Sequence, residues 1–310
     1  MELRDRAVGS VLGLSLGDAL GAPFEFRRRD RIPSPLPAFD LPWMGLAPGT
    51  GTDDTAMARI LVRSLIAHGG DLDAMDVRSR LVDWLATDPP DVGTLTRRVL
   101  TRVREGVDDA AREFVEQQGP EVSAGNGSVM YCAPLGVAYA RRPDRLETLA
   151  PELSAVTHWD ERCRTSCLAV TLAVAALVRG EPAAHAVAVA VGAVAELEGG
   201  EELEYLVQEA GRGRPVDGPD MGFTLFTAGL ALRVAAEAED VEGGLRHVVS
   251  LGGDTDTNAA VAGALLGAVH GRAGLPQTWL RSLVDRAAIE AEAERLAEVV
   301  DQMSEGPITR

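Results

Sequence analysis

Over residues 6–20 the apolar residues Val8, Leu12, Leu16 and Leu20 fall four apart, and Gly9, Gly13 and Gly17 run beside them on an adjacent stripe. This is the spacing of one helical face, and a row of small residues along it lets a second helix approach closely. Similar periodicity predicts helices at about 55–67, 73–86, 93–105, 108–117, 127–140, 145–156, 161–179, 183–197, 201–209, 222–236, 241–250, 257–270 and 276–301. Ala, Leu, Glu and Arg fill these segments, whereas the alternating β-branched and aromatic patterns of strands are scarce. The stretches 168–178 and 183–195 are apolar nearly all round, as in helices enclosed by other helices. The expectation is an all-α fold, one large compact multi-helix domain covering residues 1–310.

Two segments break the periodicity. A Pro-rich loop over 27–51 holds Pro33, Pro35, Pro37, Pro42 and Pro48, with Phe39, Trp43 and Met44 among them. Proline at that density excludes helix. The loop would serve equally as a lid over a site or as a surface connection pinned by Phe39 and Trp43. The second segment, Gly211 to Pro219, reads only as a connection. The tail after Asp301 is expected to fray.

Hydrophobic residues make up 46% and charged residues 25% of the 310, a globular composition able to bury a core. A net charge of -17 disfavours a nucleic-acid partner, whose backbone rewards clustered Lys and Arg. The run Arg27-Arg28-Arg29 is short, is followed by Asp30, and reads as a solvated loop. The first residues carry acids and no signal-peptide core, and no apolar run suggests insertion into a membrane. Cys132, Cys163 and Cys167 imply no disulfide framework. Cys163 and Cys167, four apart, lack a matching Cys/His pair and read as packing residues rather than zinc ligands. The default expectation is a cytoplasmic location, with the chain a monomer.

The chemistry concentrates in two segments. Thr52-Asp53-Asp54-Thr55 and Asp254-Thr255-Asp256-Thr257 each lead into a helical run. One reading is a helix cap, since Asp and Thr oxygens accept from the first free amides. The other is an oxygen-only cage for a hard divalent cation, because a cap needs one such residue and adjacent carboxylates repel unless a cation lies among them. Gly51, Gly252 and Gly253 just ahead of the blocks allow close backbone approach. Both readings remain open on spacing alone.

Five motifs occur in a familiar order. They are Gly17-Asp18-Ala19-Leu20-Gly21 with Pro23-Phe24-Glu25, then Gly51-Thr52-Asp53-Asp54-Thr55, Gly125-Asn126-Gly127-Ser128-Val129-Met130, Thr157-His158, and Gly252-Gly253-Asp254-Thr255-Asp256-Thr257-Asn258. Together they resemble the ADP-ribosylglycohydrolase family, in particular its dinitrogenase reductase-activating type, from about residue 6 to 272. The resemblance implies two Mg2+ or Mn2+ ions at the base of a cleft. Thr52, Asp53 and Asp54 correspond to one ligand group, Asp254, Asp256 and Thr257 to the other, and Glu25 to an acid supplied by the following loop. It further implies hydrolysis of the bond between ADP-ribose and an acceptor, foremost a protein side chain or else a small molecule, with ADP-ribose as product.

Glycosidic cleavage passes through an oxocarbenium-like state that needs a positioned nucleophile and a stabilised leaving group. Glu25, Asp53 and Asp54 are the candidate catalytic acids, and Glu25 is the better proton acceptor, since a carboxylate tied to two cations is a poor base. Ser123, Gly125, Asn126, Gly127 and Ser128 offer amides and hydroxyls to a diphosphate, and His158 corresponds to a position near the ligand. Tyr131-Cys132 stands where many relatives continue with Arg, Trp159-Asp160 follows His158 where other polar residues are common, and Ala124 lacks a ring that some relatives set against adenine. Two other function classes are compatible with the motifs: a silent relative that binds ADP-ribose, and a metal-dependent hydrolase of another phosphorylated or glycosylated metabolite.

Overall fold

A computed structural model describes residues 2–302. The chain opens with Leu3–Gly21 (α1), Asp53–Ala67 (α2), Ala74–Leu85 (α3), Thr94–Arg104 (α4), Ala110–Gln118 (α5) and Pro120–Ser123 (α6). The middle holds Ala133–Ala138 (α7), Leu146–Ala155 (α8), Glu161–Val178 (α9), Ala183–Ala193 (α10) and Gly200–Glu209 (α11). Thr224–Glu237 (α12), Val241–Ser250 (α13), Thr255–His270 (α14), Gln277–Ser282 (α15) and Arg286–Gln302 (α16) complete it. Among the described residues, β pairing is limited to isolated bridges. The fold is all-α, as the periodicity predicts.

The glycine stripe sets the central geometry. A Cβ on Gly9, Gly13, Gly17 or Gly21 would lie 2.3, 2.2, 1.9 or 2.3 Å from the backbone oxygen of Gly267, Gly263, Ala259 or Thr255 in turn. The descending partner numbers make α1 and α14 antiparallel, with their backbones in direct contact. The C-terminal end of α1 therefore sits at the N-terminal end of α14, and the Thr255 hydroxyl donates to Gly21 O at 2.8 Å. Leu3–Phe24 has the length and apolarity of a membrane-crossing helix, yet 94% of its most apolar window is buried inside the fold.

Around this pair runs one contiguous hydrophobic cluster, and α9 lies within it with nearly every residue buried. Val99, Ala110 and Ala111 form a separate small cluster, flanked by Leu95, Val103, Val107 and Phe114, that holds α4 to α5. Cys132, Cys163 and Cys167 are buried free thiols, in keeping with a packing role.

Two predicted helices are divided. The 127–140 segment becomes a 3-10 turn at Val129–Tyr131 followed by α7. Pro134 in the first turn of α7 has no N–H to continue a helix from upstream, so the helix starts afresh there. The 276–301 segment breaks between α15 and α16, where Asp285 takes φ +58° and Val284 N–H donates to Gly49 O at 2.9 Å. That break anchors the Pro-rich loop, which is further held by buried Leu36 and Trp43 and by Phe39 against Trp279, ring centroids 5.6 Å apart. The tail expected to fray lies, beyond Gln302, outside the described residues.

The Gly211–Pro219 turn is more than a connection. Gly253, at φ +80°, pairs with the segment after Glu25: Phe26 N–H donates to Gly253 O at 2.8 Å and Gly253 N–H to Arg27 O at 2.7 Å. On its other side a Cβ at Gly253 would lie 2.2 Å from Val216 O, and Arg29 N–H donates to Asp217 Oδ2 at 2.8 Å. The turn thus clamps the Glu25 segment onto the second acidic block. Arg27, Arg28 and Arg29 are exposed, as a solvated run should be.

Candidate active site

The antiparallel α1–α14 contact brings Asp18 to the start of α2. Fully buried, it accepts Thr52 N–H at 2.9 Å and Thr55 N–H at 3.0 Å through Oδ2, and also the Thr55 hydroxyl. Thr52 is the N-cap of α2, its hydroxyl oxygen accepting Asp54 N–H at 3.3 Å. With Thr52 and Asp18 serving the first turn, Asp53 and Asp54 are not needed as caps. At α14 the N-cap position belongs to Asp254, whose side chain makes no capping bond. Capping therefore does not account for either pair of acids.

The two blocks meet. Asp54 Oδ2 accepts the Thr52 hydroxyl at 3.1 Å and the Thr257 hydroxyl at 3.3 Å. Asp254 Oδ2 accepts Asn126 Nδ2 at 2.8 Å, and Asn126 also donates to Thr227 Oγ1 at 3.1 Å. Glu25, Asp91 and Asp256 each offer an oxygen within 4.8 Å of the others. Asp53 Oδ2 accepts Gly93 N–H at 3.1 Å, which fixes the loop that carries Asp91.

Burial and mutual repulsion push these acids in one direction. Burial raises Glu25 to about 8, helped by the charges of Asp91 and Asp254 and opposed by a hydrogen bond from Trp43. Asp18 rises to about 6 through burial, against its hydrogen bonds. Asp53, Asp54 and Asp256 stand well above the ordinary carboxylate range, first by burial and next by the charges of Asp91, Asp18 and Asp254 respectively. Asp91 and Asp254 are raised by burial too. Crowded buried carboxylates are costly unless protonated or neutralised by a cation. Asp54 Oδ1 and Asp256 Oδ1 are both buried without a hydrogen-bond partner. Orphaned carboxylate oxygens in an oxygen-only donor set fit hard divalent ions such as Mg2+ or Mn2+.

Beside the acids lies a cavity of about 320 Å³. One side is Glu25, Phe26, Asp53, Asp254, Asp256 and Thr257; another is the 91–96 segment at the start of α4; the third is Gly125, Asn126, Gly127, Met130 and His158. His158 is buried, and burial lowers it to about 4, so the imidazole is neutral near pH 7. Its Nδ1 pairs with the Thr157 hydroxyl at 2.8 Å, and a Cβ at Gly127 would lie 2.7 Å from its Cε1. Only glycine leaves room for that ring.

The sequence-predicted residues do not all converge. Glu25, Asp53, Asp254, Asp256, Thr257, Gly125, Asn126, Gly127 and His158 line the cavity, with Thr52 and Asp54 packed behind them. Ser123 and Ser128 do not line it: both are fully buried, Ser123 donating to Asp160 Oδ2 and Ser128 pairing with the Ser154 hydroxyl at 2.9 Å. Their hydroxyls hold the glycine segment from below. Sequence reasoning missed Asp91, Phe26 and the positioning acid Asp18. Asp18 had a signal, a charged residue among the closest-packed glycines of an apolar helix; Asp91, in a loop after Pro89-Pro90, had none.

Residues 1–305 match the ADP-ribosylglycohydrolase family. The chain is 32% identical over 286 residues to ADP-ribosyl-[dinitrogen reductase] glycohydrolase of Rhodospirillum rubrum, covering 91% of each. It is 28% identical over 309 residues to ADP-ribosylarginine hydrolase Tri1 of Serratia proteamaculans, covering 95% of this chain and 80% of that one. The human ADP-ribosylhydrolase ARH3 is 26% identical over 327 residues, with 88% of each covered. A solved structure described as an ADP-ribosylglycohydrolase-related protein complex superposes with a TM-score of 0.80 at 33% identity, covering 96% of this chain and 99% of that one.

Proposed function

The chain belongs to the ADP-ribosylglycohydrolase family of glycosidic-bond hydrolases, and we propose that it releases ADP-ribose from a modified protein side chain, an arginine guanidine foremost. The observation that carries this reading is the convergence of both acidic blocks, Glu25 and Asp91 on one cavity, with Asp54 Oδ1 and Asp256 Oδ1 left as free oxygen donors. The arginine linkage follows the relatives named for dinitrogen reductase and ADP-ribosylarginine.

Thr52, Asp53, Asp54, Asp254, Asp256, Thr257 and Glu25 would hold two Mg2+ or Mn2+ ions, with Asp91 added to the set by its place beside Glu25 and Asp256. Such ions, when bound, neutralise the carboxylates, orient ribose hydroxyls and lower the pKa of a water. Glu25 sits at the cavity edge, half-buried, and accepts the proton of the attacking water. The remaining carboxylates stabilise positive charge as it develops on the ribosyl ring. Gly125 to Gly127 and the neutral His158 form the wall on which the diphosphate rests, the bare backbone allowing close approach and the uncharged ring adding no repulsion.

The test is ADP-ribose release from a panel of arginine-linked, serine-linked and DNA-linked substrates with Mg2+ and with Mn2+. Release from the arginine linkage ahead of the others is the expected result. Binding of ADP-ribose without release from any linkage would leave a reader in place of a hydrolase.

A further inference from the structure

The α4–α5 groove lies next to the cavity and is assigned to nothing above. Its volume is about 450 Å³. Val99, Ala110 and Phe114 give it an apolar floor, and Arg97, Arg98 and Arg102 face Glu113 as its charged groups. Counting Glu105, which pairs with Arg102, three guanidiniums stand against two carboxylates, a small local excess of positive charge on a chain of net charge -17. Arg102 is paired with Glu105 at 3.2 Å and Glu113 at 3.5 Å. The Arg97 and Arg98 side chains are exposed; the charge of Arg97 acts on Asp91 at the cavity, while Arg98 points its charge to solvent.

The groove and the candidate active site are lined by successive parts of the same helix. Leu95 and Thr96 line the catalytic cavity, and the next two residues of the same helix line the groove. The far end of the unit returns to the site as well, since α6 runs through Ser123 and Ala124 into Gly125. The α4–α5 pair also has its own small core, separate from the main cluster. α4 is nevertheless tied to the main core through Leu100 and to the chamber through Leu95 and Thr96, so groove and chamber are held by one helix.

An acidic enzyme repels acidic proteins over most of its surface, so a basic groove beside the site selects where an acidic acceptor can land. Resting on the hydrolase reading, we propose that the α4–α5 groove docks the acceptor protein, taking an acidic stretch two to four residues from the ADP-ribosylated side chain. The helix rises about 1.5 Å per residue, which sets Arg97 to Arg102 roughly 2–9 Å beyond Thr96. An extended peptide spans about 3.3 Å per residue, so its acids at that separation reach these guanidiniums.

The experiment compares three substrates: free ADP-ribosylarginine, and two peptides carrying one ADP-ribosylated arginine with either Glu or Gln at the flanking positions. The native protein should show a KM about tenfold lower for the Glu peptide, the scale of two exposed ion pairs. Arg98→Glu with Arg102→Glu should erase that preference and leave turnover of free ADP-ribosylarginine unchanged, Arg97 being kept because its charge acts on Asp91. Equal KM values for the two peptides would overturn docking while leaving the hydrolase reading intact. Loss of free ADP-ribosylarginine turnover in the double variant would overturn it too, by assigning the arginines to the ADP-ribosyl group. Inhibition by random single-stranded DNA as strong as by a polyglutamate peptide would mark a phosphate-backbone surface instead, again contradicting the proposal. No release from any of the three would sink the arginine-linked reading and this inference with it.

Discussion

The Thr257 hydroxyl donates to Asp54 Oδ2 at 3.3 Å, joining two acidic blocks 203 residues apart in the chain. Neither block caps its helix with the acids in question, so their proximity is a cost that only a cation or protons offset. Asp53→Ala and Asp256→Ala are expected to lower kcat by at least about a hundredfold, the scale of removing one preorganised electrostatic group. Circular dichroism of both variants should match the native protein, since each change relieves repulsion rather than opening the core. Unfolding of both in metal-saturated buffer would assign these acids to folding.

Asp91 shares the cluster with Glu25 and Asp256 and stands two residues before Gly93, whose N–H is bound by Asp53. Asp91→Asn keeps an oxygen in place and removes the charge. Mn2+ affinity measured calorimetrically should weaken roughly ten- to a hundredfold, the range for groups that orient a metal site. Unchanged affinity would leave Asp91 a spectator.

Much of this arrangement was legible in the sequence, and the reasons it stopped are physical. The α1 glycines signalled a close helix contact because small residues at four-residue spacing have few other uses, and they pack against α14 as that spacing implies. The two blocks were legible as chemistry because their acids exceed what a cap needs. Ser123 and Ser128 misled because a hydroxyl beside a glycine motif looks the same whether it faces a ligand or, as here, Asp160 and Ser154. Asp91 was silent because a loop acid acquires meaning only from what the fold brings opposite. The break at Asp285 was equally silent, since it depends on Gly49, far away in the chain.

Gly17→Ala places a methyl 1.9 Å from Ala259 O, against the α14 backbone at Ala259 and Ala260. Overpacking of this kind costs about 1–3 kcal/mol where side chains can shift, and here only the helices themselves can move. Urea unfolding should show a loss at the upper end of that range, with turnover falling as Asp18 is displaced. A midpoint equal to the native one would mean α1 and α14 are not locked.

Stability without metal should fall as pH rises. Glu25 is raised to about 8 and Asp18 to about 6, against unfolded values of about 4. Between those limits the folded state holds protons that the unfolded state has released, so stability is greatest at the acid end of the window and declines toward pH 8. Divalent ions at the proposed centre would neutralise Glu25 and the acids around it. The Tm difference between Mg2+ and chelator, followed by calorimetry from pH 5 to 8.5, should therefore widen with pH. A constant difference would show that these acids do not face the ions.

The central claim is that one chamber, built by both acidic blocks, holds the ions on which ADP-ribose release depends. Its most direct test is release of ADP-ribose from an arginine-linked substrate by protein stripped with chelator, then titrated with Mn2+ while bound metal is counted. No release in chelator, with activity returning in step with two bound ions per chain, is the predicted result. Full-rate release from protein shown to carry no divalent ion would contradict it.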